Sequence, residues 1–390
     1  MILKRIPDNL KTDIEQFHSA PSGNNVLFFS ADSGMGKTYA VLSYCADNKD
    51  SLYFSFRHIS SELALKTFAG RYPEIFKDCT TWSEFFDCLK IYDKEKRPTV
   101  FFDDVGERND KTDFYAALKN FIDEDDGCDV LVVLIGRPWE QVEIPCRTIS
   151  ITPYSTQEIA ETPSVSDKDS VDIFCLSAGI TELLSLYDKS VSFEENVKSL
   201  LHINSPFYRL MNDKMHECFR TPESYNTLLY AMVNGYNRIS ELSAFSGYPK
   251  NKCDKYFKTL CEFGLVRKEP EKNGHTKYYP ANSYIALWYK TLLTAVPNAD
   301  GSFGEDVYDR FMKYFNDEIL SAFYKEMCVY WLDKNIISIS TDYIDTKDLN
   351  YRNVKVGNVT FDFACEKMRA CRRRINVSER KRTIKIFFTE

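Results

Sequence analysis

The chain has 390 residues, of which 44% are hydrophobic and 27% charged, and 57 acidic against 50 basic side chains give a formal net charge of -7. This balance is typical of a globular protein and excludes an intrinsically disordered one, while the length predicts two to three domains. The negative charge argues against a nucleic-acid coat over the whole surface but leaves room for one locally basic module.

The chain also lacks the sequence signals of secretion and membrane insertion. Its N-terminal segment, MILKRIPDNLKTDIEQF, is charged and contains no apolar run of the kind that precedes a signal cleavage site. The longest apolar stretch, residues 130–136, is too short to cross a bilayer. The 12 cysteines are scattered, with no CxxC pair, and are interpreted as reduced, small hydrophobic side chains. We therefore expect a cytoplasmic protein with no membrane partner.

Residues 1–155 are predicted to form a parallel α/β core. Short apolar runs that read as buried strands occupy residues 26–30, 52–56, 99–102 and 130–135, with a weaker candidate at 147–151. Helical patterns lie between them, for example at residues 37–45, 60–68 and 82–89. Such alternation, with nearly continuous apolar strands, is typical of a parallel sheet covered on both faces.

Helical patterns dominate after the core. Residues 156–220 are predicted to form a helical lid, with helices at 156–161 and 171–187 and a break at Gly179. Residues 221–296 carry three helical segments (225–234, 239–245 and 251–263) and then two short strands around the turn Asn273–Gly274. That order predicts a winged helix. Residues 297–390 are expected to hold a linker, a helical segment at 305–332 and a basic, poorly patterned tail.

The sharpest motif is ADSGMGKT, which stands directly between an apolar strand and a helix. Gly34 and Gly36 let the backbone turn its N–H groups toward phosphates, and the N-terminus of the following helix favours an anion. Lys37 is predicted to reach the β- and γ-phosphates of ATP, and Thr38 to bind Mg²⁺ through its hydroxyl. The usual pattern has glycine where this chain has Ala31. The predicted nucleotide-binding residues are Ala31, Asp32, Ser33, Gly34, Met35, Gly36, Lys37 and Thr38.

Two acids end a later apolar strand, in the sequence RPTVFFDDVGE. In an open α/β sheet, ligands gather at the carboxyl edge of the strands, so both side chains are expected to face the phosphate loop. Asp103 is predicted to act on Mg²⁺ through water, and Asp104 to orient the water that attacks ATP. Because aspartate is one methylene shorter than the glutamate common at this position, slow or partner-dependent hydrolysis is an open alternative.

Arg137 ends another apolar strand, in VLVVLIGRPWE. Its guanidinium either contacts the γ-phosphate, which would make it a catalytic residue, or forms a surface ion pair. The residue pattern favours neither alternative over the other.

With these motifs in place, the sequence resembles the STAND-type P-loop ATPases, and within them the archaeal-type ATPase group. The resemblance rests on ADSGMGKT, FFDDVGE, the strand ending in IGR, ISITPYSTQEIAE and SAGITELLSLY, and it continues through YYPANSYIALWYKTLL to about residue 330. It implies an AAA-like ATP-binding core, a helical lid and a winged helix. Thr181 stands where the family's lid motif has proline, and residues 1–23 hold no match to its adenine-binding Gly-Arg-Glu motif.

The same resemblance implies a C-terminal region related to restriction nucleases. Here VGNVTFDFACEKM supplies Asp362, but Glu366 and Lys367 follow it too closely to belong to the usual later strand. We expect a degenerate or truncated version of that domain.

Two functions remain open from the sequence. In the first, the protein is a Mg²⁺-dependent ATPase that acts as a nucleotide-controlled switch on a homo-oligomer or a protein partner. In the second, it is a nucleotide-gated DNA-binding regulator, because the predicted recognition helix is rich in lysine. The lysines in question are Lys250, Lys252, Lys255 and Lys258.

Overall fold

The structure is a computed structural model, and it divides into two compact units, Met1–Gly304 and Glu305–Glu390. It describes residues 8–19, 26–57, 59–77, 79–107, 111–123, 130–140, 142, 144–162, 165, 167–271 and 274–324, followed by six strands between residues 337 and 388. None of the described helices has the length and apolar character that a membrane span needs.

The first unit is built on a five-stranded parallel sheet. Its strands are β1 (Val26–Ser30), β2 (Leu52–Ser55), β3 (Thr99–Asp103), β4 (Leu131–Gly136) and β5 (Arg147–Ser150). Their order is β2-β3-β4-β1-β5, and every neighbouring pair is parallel. The sequence prediction of an α/β parallel-sheet core is confirmed. The fifth strand gave a weak signal because it lies at the edge of the sheet and buries only Ile149.

Helices surround this sheet. They are α1 (Asp8–Ser19), α2 (Lys37–Asp47), α3 (Ser61–Arg71), α4 (Pro73–Phe76), α5 (Trp82–Lys96), the 3₁₀ turn Val105–Glu107 and α6 (Lys111–Asp123). The sequence interpretation did not include α1, although Leu10, Ile14 and Phe17 are buried at helical spacing. These three side chains pack with one face of the sheet, which explains why so short and charged a segment is helical.

Alternate strand residues divide between two hydrophobic clusters. Phe54 and Phe102 belong to one cluster, whereas their neighbours Tyr53 and Phe101 belong to the other. Because successive side chains of a strand point to opposite faces, a strand that is apolar at every position is covered on both sides. The sheet is therefore a buried layer, and polar side chains reach solvent only at its edges.

A group of helices follows the sheet. They are α7 (Thr156–Ala160), α8 (Asp167–Ser177), α9 (Thr181–Ser185), α10 (Phe193–Leu200) and α11 (Pro206–Cys218). Gly179, with φ of 73°, separates α8 from α9 at the predicted break. The sequence interpretation missed α11, although Ser205 caps it, Pro206 opens it and Met211 and Met215 are buried along it.

Three helices and a hairpin come next, in the predicted order. They are α12 (Pro222–Val233), α13 (Ile239–Ser246), α14 (Lys250–Glu262), β6 (Val266–Pro270) and β7 (Thr276–Pro280). We call these elements the helix–hairpin unit. The next helix, α15 (Ser283–Thr291), is hydrogen-bonded to α11. The Tyr284 hydroxyl donates to the carbonyl of Phe207, and the Trp288 indole donates to the carbonyl of Tyr208.

The second unit begins with α16 (Glu305–Tyr314), which continues into a π-helical turn, Phe315–Ile319, and remains helical to residue 324. Its strands are β8 (Ile337–Ile339), β9 (Asp342–Ile344), β10 (Tyr351–Val356), β11 (Val359–Cys365), β12 (Arg372–Asn376) and β13 (Thr383–Phe388). The last four form a mixed sheet in the order β10-β11-β13-β12.

This sheet corrects the sequence view of the tail as poorly patterned. The strands are short and rich in charged residues such as those of β12, so they lack the long apolar runs by which strands are recognised. Asp362 lies on β11, whereas Glu366 and Lys367 lie outside the described residues. The expectation of a nuclease-like remnant stays a prediction, as do the domain boundaries proposed from sequence.

Candidate nucleotide site

The predicted phosphate loop connects β1 to α2. Gly34 and Gly36 have φ angles of 79° and 82°, in the left-handed region that side-chain-bearing residues avoid. Gly36 immediately precedes the first turn of α2. Ala31 is buried and has a negative φ, which an alanine adopts without strain, so the departure from glycine leaves the loop geometry intact.

Lys37 lies across its own loop. Its Nζ donates to the carbonyl oxygens of Ala31 at 2.6 Å and Asp32 at 3.1 Å. Burial lowers the pKa of Lys37 and the nearby Arg137 lowers it further, whereas Asp103 opposes the shift. A partly buried ammonium group held by neutral carbonyls is suited to exchange them for phosphate oxygens.

Thr38 and Asp103 meet although they come from different elements. The Thr38 hydroxyl donates to Oδ2 of Asp103 at 2.7 Å, and the Tyr53 hydroxyl donates to the same oxygen at 2.8 Å. Burial raises the pKa of Asp103, and the neighbouring Asp104 raises it further. The sequence interpretation missed Tyr53, which reads locally as one more apolar strand residue.

Asp104 occupies a strained backbone position, with φ of 58°. Its N–H donates to Oδ1 of Asp103 at 2.9 Å, and its own carboxylate lies 3.4 Å from the hydroxyl of Ser55 at the end of β2. The turn separates the two carboxylates, so that Asp103 is buried beneath the loop while Asp104 lines the pocket.

Arg137 forms an ion pair inside the pocket rather than on the open surface. Its guanidinium lies 3.0 Å from the carboxylate of Glu217 and 3.6 Å from that of Glu140. Only 16% of its side chain is exposed, and it lines the same pocket as Lys37. Because an ion-paired guanidinium beside a phosphate loop can change partner, this position is compatible with a contact to a γ-phosphate.

The pocket has a volume of about 940 Å³ and is closed on one side by the helices after the sheet. The N–H of Glu182 donates to the carbonyl of Gly34 at 2.8 Å, and the Thr181 hydroxyl donates to the carbonyl of Met35 at 3.1 Å. A side chain on Gly34 would lie 3.1 Å from Leu210 and from Glu182. Thr181 thus contacts the phosphate loop directly.

Helix α11 contributes several pocket residues that sequence reasoning missed. Lys214 forms an ion pair with Asp32 at 2.7 Å, and its ammonium group lies over the ring of Trp139. Glu217 forms an ion pair with Arg137 and accepts a hydrogen bond from the hydroxyl of Ser33. The capping residues at the start of α11 could have revealed the helix, but no local pattern reveals which of its side chains meet the loop.

The predicted DNA-binding lysines lie apart from this pocket. Lys250, Lys252, Lys255 and Lys258 are all exposed on α14, and none of them lines the pocket. The ammonium group of Lys252 lies 4.3 Å from the ring centre of Tyr248 and 5.4 Å from that of Tyr256. Lys252 is thus engaged with two aromatic rings.

A parallel sheet with a glycine loop between β1 and α2 and acids at the end of β3 defines an α/β fold of the P-loop nucleoside triphosphatase class. No protein-family model matches the chain, and no curated protein matches its sequence.

Solved structures do resemble it. One is a signal transduction ATPase with numerous domains (STAND) from Pyrococcus horikoshii that carries a tetratricopeptide repeat sensor. It is 10% identical, with a TM-score of 0.33 over 83% of this chain and 50% of that chain, so this chain spans half the length of that protein.

A point mutant of RuvB from Thermotoga maritima is 13% identical, with a TM-score of 0.34 over 70% of this chain and 92% of that one. AMPPCP-bound DnaA from Aquifex aeolicus is 10% identical, with a TM-score of 0.32 over 67% of this chain and 90% of that one. Likeness at such low identity concerns the fold alone.

Proposed function

We propose that the protein binds ATP with Mg²⁺ and is an ATPase of the STAND type that acts as a nucleotide-controlled switch. The observation that carries this proposal is the meeting of Thr38 and Asp103 at 2.7 Å beneath a glycine loop that also holds Lys37. A hydroxyl, a carboxylate and an ammonium group in this arrangement match the needs of a magnesium-bound triphosphate.

The residues of the pocket fit both ligands. A volume of about 940 Å³ accommodates a nucleotide. Residues 31–38 would hold its phosphates, with Lys37 on the β- and γ-phosphates. Mg²⁺ is commonly held by one or two protein oxygens together with phosphate oxygens, and Thr38 and Asp103 offer such oxygens. Bound there, Mg²⁺ would supply charge neutralisation on the phosphates.

For hydrolysis, we assign Asp104 the orientation of the attacking water. Its carboxylate lines the pocket, beside the Ser55 hydroxyl, while Asp103 stays beneath the loop. Lys37 and Arg137 would stabilise the charge that develops on the γ-phosphoryl oxygens during in-line attack. The short side chain of Asp104 favours slow turnover, or turnover that a partner stimulates.

The switch would act through the contacts between the core and the later elements. Glu182 and Thr181 touch the phosphate loop, and Trp139 packs edge-on against Phe263 at the end of α14, with ring centres 5.1 Å apart. We propose that a nucleotide that changes the loop would alter these contacts and so the placement of the helix–hairpin unit, which we interpret as a winged helix.

The test is equilibrium binding and turnover of ATP with Mg²⁺ by the purified protein and by Lys37→Ala, with size-exclusion elution in both nucleotide states. We expect the substitution to abolish binding, and ATP to change the elution volume of the wild-type protein. A Lys255→Ala variant serves as a control that removes one amine far from the pocket. Equal ATP affinity in wild type and Lys37→Ala would refute the proposal.

A nucleotide-gated DNA-binding regulator is the second candidate. The observation in its favour is that Lys250, Lys255 and Lys258 are exposed on one helix of the helix–hairpin unit, as phosphate contacts require. Asp254 and Glu262 lie exposed on the same helix and weaken its positive field. The salt dependence of duplex binding separates this candidate from a protein-directed switch.

A further inference from the structure

Glu217, near the end of α11, reaches into the nucleotide pocket and contacts two elements of the core. Its carboxylate lies 3.0 Å from the guanidinium of Arg137, and Oε2 accepts a hydrogen bond of 3.4 Å from the hydroxyl of Ser33 in the phosphate loop. A side chain from α11 thus places a negative charge between the loop and the arginine at the end of β4.

A carboxylate and a phosphate are alternative partners for one guanidinium. The Glu217 side chain is 37% exposed and that of Arg137 is 16% exposed, so the pair is partly solvated and can separate at modest cost. A γ-phosphate that approached Arg137 would have to displace Glu217 from the guanidinium. A nucleoside diphosphate has no γ-phosphate and leaves the pair undisturbed.

The same helix carries a second tie to the loop and a connection to the helix–hairpin unit. Lys214, one turn before Glu217, pairs with Asp32 and lies over Trp139. Trp139 follows Arg137 by two residues and packs against Phe263, which also packs against Phe219 at the end of α11. The Arg137–Glu217 pair is therefore close in sequence, at both of its residues, to rings that contact Phe263 at the end of α14.

We propose that Glu217 is an internal anion that competes with the γ-phosphate for Arg137, so that the pocket discriminates between nucleoside triphosphate and diphosphate. When a triphosphate binds, Arg137 changes partner and α11 loses a charged contact with the core. This inference rests on the proposed nucleotide-binding function and assigns to that site the means of distinguishing its ligands.

The experiment is equilibrium binding of AMPPNP and ADP, each with Mg²⁺, to the wild-type protein, Glu217→Gln, Arg137→Ala and the double variant. Glutamine keeps the shape of the side chain and its ability to accept from Ser33, while removing the charge. We expect Glu217→Gln to tighten AMPPNP binding about threefold to tenfold and to leave ADP binding within about twofold. In the Arg137→Ala background the same substitution should change AMPPNP binding much less.

Glu194→Gln is the matched control, because Glu194 is an exposed acid on α10 that does not line the pocket. Thermal unfolding of each variant checks that it is folded, and Glu217→Asp, which keeps the charge, should bind AMPPNP more like wild type than Glu217→Gln does.

Equal changes for AMPPNP and ADP in Glu217→Gln, or the same effect with and without Arg137, would overturn the inference while leaving the nucleotide site in place. Failure of the wild-type protein to bind either nucleotide would instead refute the proposed function, and the inference with it.

Discussion

The hydroxyl of Thr38 donates to Oδ2 of Asp103 at 2.7 Å, although 65 positions separate the two residues in the chain. The contact forms because β1 and β3 are parallel strands of one sheet, so that the loop after β1 and the acid at the end of β3 reach the same edge. The same carboxylate oxygen accepts from Tyr53 in the neighbouring strand β2. Hydroxyl donors from α2 and β2 thus meet at one carboxylate oxygen of β3.

We expect Asp103→Asn to stabilise the nucleotide-free protein by about 1 kcal/mol while weakening Mg²⁺-dependent nucleotide binding. Asp103 is 1% exposed, and burial and the neighbouring Asp104 raise its pKa, so the ionised form is disfavoured in the folded state. An asparagine amide can donate to the hydroxyl oxygens of Thr38 and Tyr53, while its carbonyl still accepts from the N–H of Asp104.

The difference in stability between Asp103→Asn and the wild-type protein should depend on pH. Above the raised pKa of Asp103 the wild-type protein carries a buried charge; as the pH falls through that pKa the group is neutralised and its destabilisation is lost. The advantage of asparagine should therefore be largest near neutral pH and should shrink on acidification. Denaturant unfolding with EDTA measures it, with the exposed Asp87→Asn as control. A less stable Asp103→Asn variant at neutral pH would contradict this prediction.

Asp104→Asn should retain ATP binding and lose turnover by at least about tenfold. The amide keeps the size of the side chain and its place beside Ser55, but it is a far weaker acceptor for the proton of an attacking water. Single-turnover hydrolysis with saturating protein separates this step from binding. Unchanged turnover would show that Asp104 is not the water-orienting acid.

The affinity for ATP should rise as the pH falls, in part through Glu182. This carboxylate lines the pocket, and its partial withdrawal from water beside the phosphate loop, together with the nearby Asp213, raises its pKa. Ionised Glu182 repels the phosphates, and protonation below the raised pKa removes that repulsion.

Because ATP itself titrates near neutral pH, the measurement is the difference between wild type and Glu182→Gln across the pH range. The variant should bind more tightly at high pH and converge with wild type at low pH. The exposed Glu62→Gln, on α3, should follow wild type throughout. Parallel pH profiles for wild type and Glu182→Gln would exclude this role.

Trp139 and Phe263 should be coupled by about 1 kcal/mol in the free energy of unfolding. Their rings pack edge-on, with centres 5.1 Å apart, and they join the core to the end of α14. A double-mutant cycle with Trp139→Ala and Phe263→Ala measures the coupling. A second cycle combines Trp139→Ala with Phe245→Ala, which removes an exposed ring of α13. The changes in the free energy of unfolding should be additive in that cycle. Additivity in both cycles would mean that the ring contact does not link the elements.

If the DNA-binding candidate is correct, neutralising Lys255 and Lys258 together should weaken duplex binding at low salt. Loss of two phosphate contacts should reduce the slope of the logarithm of affinity against the logarithm of salt concentration by about 2. The control is the double variant Lys49→Gln/Lys66→Gln. Both of these lysines are exposed and lie outside α14, so the control removes the same amount of positive charge from a different place. Equal loss in both pairs, or loss in neither, would argue against α14 as a recognition helix.

The sequence alone was sufficient for the sheet and for the phosphate loop. Strands buried on both faces are apolar at every position, and the glycines at left-handed φ stand where a helix must begin, so both signals are local in the chain. The sequence signal of the edge strand β5 was weak and that of helix α1 was missed, because each element buries only one narrow apolar face.

Only the tertiary structure decided which side chains share the pocket. Tyr53 reads as an ordinary strand residue until β2 is placed beside β3, and Glu217 reads as a solvated helix acid until α11 is laid on the phosphate loop. Arg137 could equally have been a surface residue. The pattern of a strand or helix records which face it buries, whereas the partner of a charged side chain depends on packing between segments distant in the chain, which no local pattern encodes.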